Sequence, residues 1–481
     1  MEPVIRQKNA VEAVAPFRFE TFLKRYPAFL ETSLMDELRR TDYSRLNRLG
    51  QVYLDFTGGN LYAESQLQKH FQLLRDNVFG NPHSTNPTSI KATHLVEAAR
   101  QKVLDYFNTQ GNYECIFTAN ASGALKIIGE SYPFHSSAHF LLTYDNHNSV
   151  NGIREFCKSK GGSFSYTPLN VEDLRINPDS LLENLAAFPD KTDKLFAYPA
   201  QSNVTGIQHS LDWIESAKGL GWDVLLDAAA FVPSNRLDLS KVRPDFVSVS
   251  FYKIFGYPTG LGCLLVHRDT FHKLQKPWFA GGTITLASVK ADHYYLSNTY
   301  ERFEDGTVNY LDIPAVQIGL EHIEHIGIDT IHERVHCLTN WLLDEIPGLR
   351  HDNGRPLIHL YGPSDRSNRG GTLIMNFLDV DGRMYPFEDI EYFANEHNIS
   401  LRTGCFCNPG IDETLNCIHE TEIDTYFQSH EKGNYKDMIQ FLGKLRGAIR
   451  ISLGLASNFP DVEAFLAFAR KFLNQSRGKV M

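Results

Sequence analysis

The chain has 481 residues, with 47 Lys and Arg against 57 Asp and Glu, and a formal net charge of −10. Its composition, 42% hydrophobic and 22% charged, is typical of a globular protein and excludes collagen-like, coiled-coil and broadly disordered classes. An acidic balance without a Lys/Arg run argues against a surface for nucleic acid or for an anionic membrane. No stretch approaches the roughly 18 apolar residues of a membrane span. We therefore expect neither nucleic acid nor a membrane as a partner.

The N-terminus and the cysteine content predict where the protein works. Residues 1–17 lack the apolar core and the small-residue cleavage site of a signal peptide. Seven cysteines are sparse and odd in number, which favours a reducing compartment over a disulfide framework. The sequence therefore predicts a cytoplasmic enzyme, and its length predicts two or three structural units.

The predicted elements begin with a helical segment, residues 1–50, which we expect to pack on the C-terminal domain. Residues 51–310 then alternate apolar strands with helices near 65–79, 88–108, 122–131, 148–159 and 210–219. The predicted strands are Val52–Phe56, Tyr113–Thr118, His139–Thr143, Leu195–Pro199, Asp223–Asp227, Asp245–Ser250 and Gly262–His267. Strands with little polar alternation, separated by helices, predict a large α/β domain with a mostly parallel seven-stranded sheet covered on both faces.

The pattern changes in residues 311–481. Two long helices are predicted near 312–325 and 329–346, and two more near 386–397 and 460–473. Short strands are predicted near 357–361, 371–377, 399–402 and 448–453. Strands and helices mixed in this way indicate a smaller α+β domain at the C-terminus.

Polar residues follow five of the predicted strands at their carboxyl ends, where an open α/β sheet binds its ligands. They are Asn120-Ala121-Ser122-Gly123, Asp145-Asn146-His147-Asn148, Gln201-Ser202-Asn203, Asp227, and Ser250-Phe251-Tyr252-Lys253. One crevice would therefore hold a helix N-terminus with small residues, a His, an Asn, an Asp and a Lys.

This combination of residues has a chemical logic. A helix N-terminus with Ser122 suits a phosphate, and a poorly solvated Asp227 stays charged beside a cation such as a pyridinium nitrogen. A desolvated Lys253 can lose its proton and bind an aldehyde, and His147 can lie flat on an aromatic ring. Together these are the needs of pyridoxal 5'-phosphate. Alone, each residue has a simpler interpretation, as a solvated lysine, a cap or a surface histidine, but their order at successive strand ends favours a shared site.

Several segments resemble a known family. Residues 250–262, SFYKIFGYPTGLG, resemble the cofactor-lysine segment of class V, fold-type I pyridoxal-phosphate enzymes. Residues 80–84, GNPHS, and 202–206, SNVTG, are similar to segments of the cysteine desulfurases. Within that group the chain most resembles the aminotransferase-like domain of the molybdenum cofactor sulfurases, in LLDAAAFVP at 225–233 and LRTGCFCNPG at 401–410. The likeness runs from about Val52 to Phe472 and implies the fold of a fold-type I transferase.

The resemblance implies a role for each matching residue. Lys253 would hold the cofactor aldehyde, Asp227 the pyridinium nitrogen, and His147 would stack on the ring. The other implied cofactor contacts are Ala121, Ser122 and Ser250, with both serines at the phosphate, and Asn203, which would contact cofactor or substrate. Arg402 and Arg450 match positions that hold the substrate carboxylate. Residues 281–283, ending in Thr283, resemble a segment that reaches the phosphate across a dimer interface, which implies a homodimer.

Cys407 is the implied sulfur acceptor. The resemblance implies that sulfur is removed from L-cysteine as a persulfide on Cys407, with release of alanine, and the chemistry requires one thiolate near the substrate sulfur. Two alternatives remain open. Cys405 can be the reactive thiol instead, or Cys405, Cys407, Cys417 and His419 can form a zinc site, although we expect no metal.

The chain also departs from the desulfurase pattern. Tyr252 and Ala230 stand where many desulfurases have His and Gln, and both changes resemble the sulfurase pattern. Few residues follow Phe472, so we expect the family's C-terminal cofactor-binding domain to be missing and the sulfur acceptor to act in trans. The alternative functions are a carbon–sulfur lyase, selenocysteine lyase or aminotransferase acting on a specialised metabolite, and a non-catalytic scaffold or sulfur carrier.

Overall fold

The computed structural model describes residues 16–363, 365–444 and 446–477. Its helices are α1 (Pro16–Arg25), α2 (Leu34–Arg40), α3 (Ser44–Arg48), α4 (Glu64–Arg75), α5 (Pro87–Tyr106), α6 (Ala121–Ser131), α7 (Asn148–Asn151), α8 (Ile153–Ser159), α9 (Pro178–Ala186), α10 (Trp213–Gly219), α11 (Phe251–Phe255), α12 (Arg268–Phe271), α13 (Ile313–Ile326), α14 (Ile328–Glu345), α15 (Phe387–Glu396), α16 (Pro409–Leu415), α17 (Glu420–Ser429), α18 (Tyr435–Leu442) and α19 (Phe459–Arg470). Short 3₁₀ helices span Pro27–Thr32, Tyr300–Phe303 and Ile346–Gly348. Residues 1–15 of the predicted N-terminal helical segment lie outside the described residues.

The strands are β1 (Val52–Tyr53), β2 (Tyr113–Thr118), β3 (Ala138–Thr143), β4 (Ser163–Thr167), β5 (Asp193–Pro199), β6 (Asp223–Asp227), β7 (Phe246–Ser250), β8 (Gly262–His267), β9 (Ile284–Ala287), β10 (Tyr294–Leu296), β11 (Ile358–Leu360), β12 (Thr372–Phe377), β13 (Ile399–Ser400), β14 (Arg402–Gly404) and β15 (Ala448–Ser452). Seven of them form one sheet in the order β2-β8-β7-β6-β5-β3-β4. Only β8 runs antiparallel to its neighbours. The predicted seven-stranded, mostly parallel sheet is therefore confirmed.

The membership of this sheet differs from the prediction in one strand. The seventh strand is β4, at the edge of the sheet, and four of its five residues are only half-buried. An edge strand of this kind carries a weak apolar signal, which explains why the sequence did not predict it. The predicted strand at Val52–Phe56 is reduced to β1, which pairs with β13 of the C-terminal region instead.

Helices cover both faces of the large sheet. Along β5, Leu195 and Ala197 belong to one buried cluster, whereas Phe196 and Tyr198 belong to the other. Because successive side chains of a strand point to opposite faces, each face of the sheet packs against its own apolar layer. The carboxyl ends of β3, β5, β6 and β7 therefore open at one edge of a rigid support.

The C-terminal region contains an antiparallel sheet in the order β11-β12-β15-β14. The N-terminal helices contact its helices: the rings of Phe22 and Trp341 lie 5.6 Å apart, and Arg39 pairs with Asp461 at 2.8 Å. Helices α16 to α18, which directly follow the Cys407 segment, were not predicted. Across residues 16–363, 365–444 and 446–477, no helix is both long enough and apolar enough to span a bilayer.

Candidate active site

A cavity of about 180 Å³ lies at the carboxyl ends of the large sheet. The loops after β2, β3 and β5 contribute to it, as do the last residues of β6 and β7. The cavity brings together most of the residues that the sequence predicted for a cofactor, namely Ala121, Ser122, His147, Asn203, Asp227, Ser250 and Lys253.

Asp227 presents a carboxylate at one end of the cavity. It is the last residue of β6 and is 9% exposed. Its Oδ1 accepts hydrogen bonds from the hydroxyl of Ser248 (3.0 Å) and from the backbone N–H of Ala229 (3.1 Å). No hydrogen bond reaches Oδ2 from any residue in the described ranges. Asp227 is therefore oriented through one oxygen and keeps the other for a cationic group in the cavity.

Lys253 lies in the short helix α11, directly after β7, and lines the same cavity. Burial lowers the pKa of its ammonium, because desolvation outweighs the attraction of Asp227. Within the part of the chain that the structure describes, no acceptor takes a hydrogen bond from its Nζ. An amine with a lowered pKa and no competing partner is suited to attack an aldehyde carbon.

The N-terminus of α6 lines the same cavity. Asn120 caps this 11-residue helix by accepting a hydrogen bond from the N–H of Gly123 (3.0 Å), and Ser250 Oγ accepts one from the N–H of Ala121 (2.9 Å). The exposed Ser122 shares a hydrogen bond with Ser149 at 2.6 Å. A helix N-terminus surrounded by hydroxyl groups is a suitable site for a phosphate.

His147 is held in one orientation by the start of α7. Its Nδ1 accepts a hydrogen bond from the N–H of Ser149 (3.1 Å), so this nitrogen carries no proton. Burial lowers the pKa of the imidazole, which keeps the ring neutral, with its proton on Nε2. A fixed neutral ring at the cavity wall can stack on an aromatic ligand.

The two predicted carboxylate-binding arginines converge on a residue that the sequence analysis missed. Arg450 is 3% exposed and donates from one Nη to Asp55 Oδ1 (2.8 Å), while Arg402 donates to both oxygens of Asp55 (2.6–3.1 Å). The other Nη of Arg450 donates to the backbone oxygen of Asn203 (2.8 Å). Two guanidinium groups against one carboxylate leave one positive charge, which suits a single substrate carboxylate. The available signal was an Asp that directly follows an apolar pair, Tyr53-Leu54.

Cys405 and Cys407 lie at the two sides of a tight turn and differ in exposure. Cys407 is exposed, whereas Cys405 is half-buried, and burial raises the pKa of the Cys405 thiol. Cys407 does not line the cavity itself, but its turn is attached to a cavity residue, because Asn203 Nδ2 donates to the backbone oxygen of Phe406 (2.9 Å). Of the two thiols, Cys407 is the one that a substrate or acceptor reaches from outside.

Two residues that were predicted to contact the cofactor, Asn203 and Thr283, form hydrogen bonds with other groups of this chain. The Asn203 amide is bonded to the Cys407 turn at both its nitrogen and its oxygen. Thr283 is fully buried and donates its hydroxyl proton to the backbone oxygen of Ala280 (2.9 Å), outside the cavity. Among the described residues, no group of three or more His, Cys, Asp or Glu side chains is placed to hold a metal ion.

The donor set of the cavity fits pyridoxal 5'-phosphate. The unengaged oxygen of Asp227 matches the pyridinium N–H, the amine of Lys253 matches the aldehyde, and the N-terminus of α6 matches the phosphate. Gly262 is part of this fit, because a Cβ there would lie 2.5 Å from the backbone oxygen of Val249 and 2.8 Å from the backbone of Asn120. Only glycine lets β8 come this close to the turn that starts α6.

Comparison with known proteins gives the same family. The family described as aminotransferase class-V matches residues 52–465. The chain is 37% identical over 458 residues to the molybdenum cofactor sulfurase of Homo sapiens, covering 90% of this chain and 50% of that protein. It is 34% identical over 488 residues to the molybdenum cofactor sulfurase of Solanum lycopersicum, covering 93% and 59%. The chain thus spans little more than half the length of these relatives.

The solved structures agree on the fold. The chain is similar to the apo structure of a cysteine desulfurase from Thermococcus onnurineus NA1, with a TM-score of 0.75 at 22% identity, covering 91% of this chain and 98% of that one. This likeness and the family match confirm the resemblance and the fold predicted from the sequence. The chain belongs to the class-V aminotransferase family of pyridoxal-phosphate-dependent enzymes.

Proposed function

We propose that this protein is a cysteine desulfurase-like sulfurtransferase, which removes sulfur from L-cysteine, holds it as a persulfide on Cys407 and releases alanine. The observation that carries the proposal is the attachment of an exposed thiol turn to the wall of the cofactor cavity, through the hydrogen bond from Asn203 to Phe406. A lyase or aminotransferase needs Lys253 and Asp227 but needs no thiol at this position.

Different side chains bind the substrate and accept its proton. When bound, pyridoxal phosphate supplies the electron sink for chemistry at the substrate Cα. Asp55 balances one of the two positive charges of Arg402 and Arg450. The remaining positive charge binds the substrate carboxylate. The amine of Lys253, whose pKa burial lowers, accepts the Cα proton at its Nζ.

Cys407 then accepts the sulfur. Its thiolate forms a bond to the substrate sulfur while the carbon–sulfur bond breaks, and the electron pair of that bond stays with the carbon fragment, which becomes alanine after protonation. Exposure favours Cys407 over Cys405, whose thiol pKa is raised by burial. We further propose that the sulfur passes to a separate acceptor molecule in the cytoplasm.

A homodimer is part of the proposal. Large apolar side chains are exposed on the β9–β10 hairpin and on the segment before it: Trp278, Phe279, Leu286, Val289, Tyr294 and Tyr295. They adjoin Thr283, the residue that the family resemblance assigns to an interface between subunits. A second copy of the chain would bury this apolar surface.

The test measures alanine and sulfide released from L-cysteine by the cofactor-loaded protein with a thiol reductant. We expect Cys407→Ser to lower both products at least about 100-fold, because the variant lacks the accepting thiolate. The matched variant Cys405→Ser should keep most of the activity, and both variants should keep the visible absorbance of bound cofactor, which Lys253→Ala should lose. Undiminished turnover in Cys407→Ser would refute the persulfide route and favour a carbon–sulfur lyase.

A further inference from the structure

The Cys407 turn has an unfavourable backbone conformation. Phe406 and Cys407 have φ of +56° and +55°, so two consecutive residues with side chains lie in the left-handed region. The turn is closed by a hydrogen bond from the N–H of Asn408 to the backbone oxygen of Cys405 (3.0 Å). Residues other than glycine rarely adopt this conformation, so the turn needs contacts from outside to persist.

Those contacts come from the loops that form the cofactor cavity. Asn203 Nδ2 donates to the backbone oxygen of Phe406 (2.9 Å), and the N–H of Asn148 donates to that of Cys407 (2.8 Å). Asn148 directly follows His147, the residue at the cavity wall. Both left-handed residues of the turn are thus bonded through their carbonyl groups to the loops after β3 and β5.

Asn408 joins these two loops to each other and to α16. Its side chain is fully buried, and its Nδ2 donates to the backbone oxygen of Asp145 (2.7 Å) and to Asn203 Oδ1 (3.0 Å). Its Oδ1 accepts the N–H of Ile411 and caps α16 (3.4 Å). One amide therefore acts as a helix cap through its oxygen and as a link to the cavity loops through its nitrogen.

The close approach of the turn to the β3 loop is built into the chain. A Cβ on Gly410 would lie 2.0 Å from the backbone oxygen of Tyr144, so only glycine allows α16 to start at this distance. Asp145, which follows Tyr144, is itself fixed by a hydrogen bond between its Oδ2 and Nε2 of the buried His209 (2.7 Å).

We propose that Asn408 is a positioning residue for the Cys407 thiol: its amide nitrogen holds the left-handed turn against the cofactor cavity, so that the thiol meets the substrate sulfur. This inference rests on the proposed function. It also assigns the Asn203 amide to the thiol turn, where it serves as both donor and acceptor.

The decisive variant is Asn408→Asp, because a carboxylate still caps α16 but cannot donate to Asp145 or Asn203. We expect the kcat for alanine release from L-cysteine to fall at least about tenfold, the effect of losing buried hydrogen bonds. KM and the absorbance of bound cofactor should change less than about twofold, because the cavity wall is retained. The matched control is Asn434→Asp, since Asn434 caps α18 in the same way and, among the described residues, makes no hydrogen bond to a cavity loop.

A second measurement does not depend on turnover. Amide hydrogen exchange in a peptide covering 402–410 should accelerate at least about tenfold in Asn408→Asp and stay unchanged in Asn434→Asp. An unaltered kcat, a loss confined to KM, or unaltered exchange in Asn408→Asp would overturn the inference. If the wild-type protein released no alanine from L-cysteine, the proposed function would fail, and exchange alone would decide whether Asn408 holds the turn.

Discussion

Replacing Asp55 by Asn removes the carboxylate that balances two guanidinium groups. Asp55 is 8% exposed and accepts hydrogen bonds from both Arg402 and Arg450. Arg450 is 3% exposed, and its Nε has no partner in the described ranges. In Asp55→Asn, Arg450 has only neutral acceptors, the amide oxygen of the new side chain and the backbone oxygen of Asn203. A buried charge would then lack its counter-ion.

The expected loss of stability follows from how deeply each ion pair of Asp55 is buried. Breaking a buried ion pair by removing one partner lowers stability by about 3–5 kcal/mol, because the remaining charge stays desolvated. The Arg402 side chain is 50% exposed, so its pair with Asp55 is screened by solvent and adds less than about 1 kcal/mol. We therefore expect Asp55→Asn to lower the free energy of unfolding by about 3–5 kcal/mol.

Urea unfolding of the cofactor-free protein measures this loss, and tryptophan fluorescence follows it, with a contribution from the buried Trp341 of the C-terminal region. The control is Asp329→Asn, because the pair of Asp329 with Arg236 has side-chain exposures of 76% and 57%. The control should lose less than about 1 kcal/mol. A loss in Asp55→Asn no larger than in the control would refute the reasoning that Asp55 compensates a buried arginine.

Two further predictions concern a close contact and a buried histidine. Gly262→Ala should weaken retention of the cofactor at least about tenfold, since the added methyl displaces the start of α6. The absorbance of the cofactor after gel filtration measures this retention. The control is Gly219→Ala, whose methyl meets no atom within 4 Å. Burial lowers the pKa of His139 to about 4, so its contribution to stability is present above pH 6.5 and is lost as the pH falls towards 4. Between pH 7 and pH 4.5 the wild-type protein should lose roughly 2 kcal/mol more than His139→Gln in urea unfolding, and equal losses would contradict this assignment.

The large sheet and the helices around it were predictable because their sequence signals are local. Apolar strands alternate with helices, and the residues that follow the strands in sequence, such as His147 and Lys253, also follow them in space. The structure accordingly brings these residues and Asp227 to one cavity. No contact between segments distant in sequence had to be known to predict this cavity.

The contributions of the C-terminal region could not be predicted in the same way. Asp55 bonds to Arg402 and Arg450, which are 347 and 395 positions away in sequence. Such pairs depend on how the segment after β1 lies beside β15, where Asp55 bridges Ser452, and no periodicity of the sequence expresses this. The edge strand β4 escaped prediction for a different reason, since a half-exposed strand lacks the continuous apolar run of a buried one.

For Asn203, the sequence predicted the location of the residue but not the hydrogen-bond partners of its side chain. The family resemblance assigned it to cofactor or substrate, and it does line the cavity, yet its side chain is bonded to Phe406 and Asn408 and its backbone oxygen to Arg450. Asn203 therefore contacts both the Cys407 turn and Arg450, which we propose binds the substrate carboxylate. We therefore propose that substrate binding and the position of the thiol are coupled through Asn203. Because the Asn203 side chain lines the cavity and Asn408 does not, a change at Asn203 should alter both KM and kcat for L-cysteine, whereas Asn408→Asp should alter kcat.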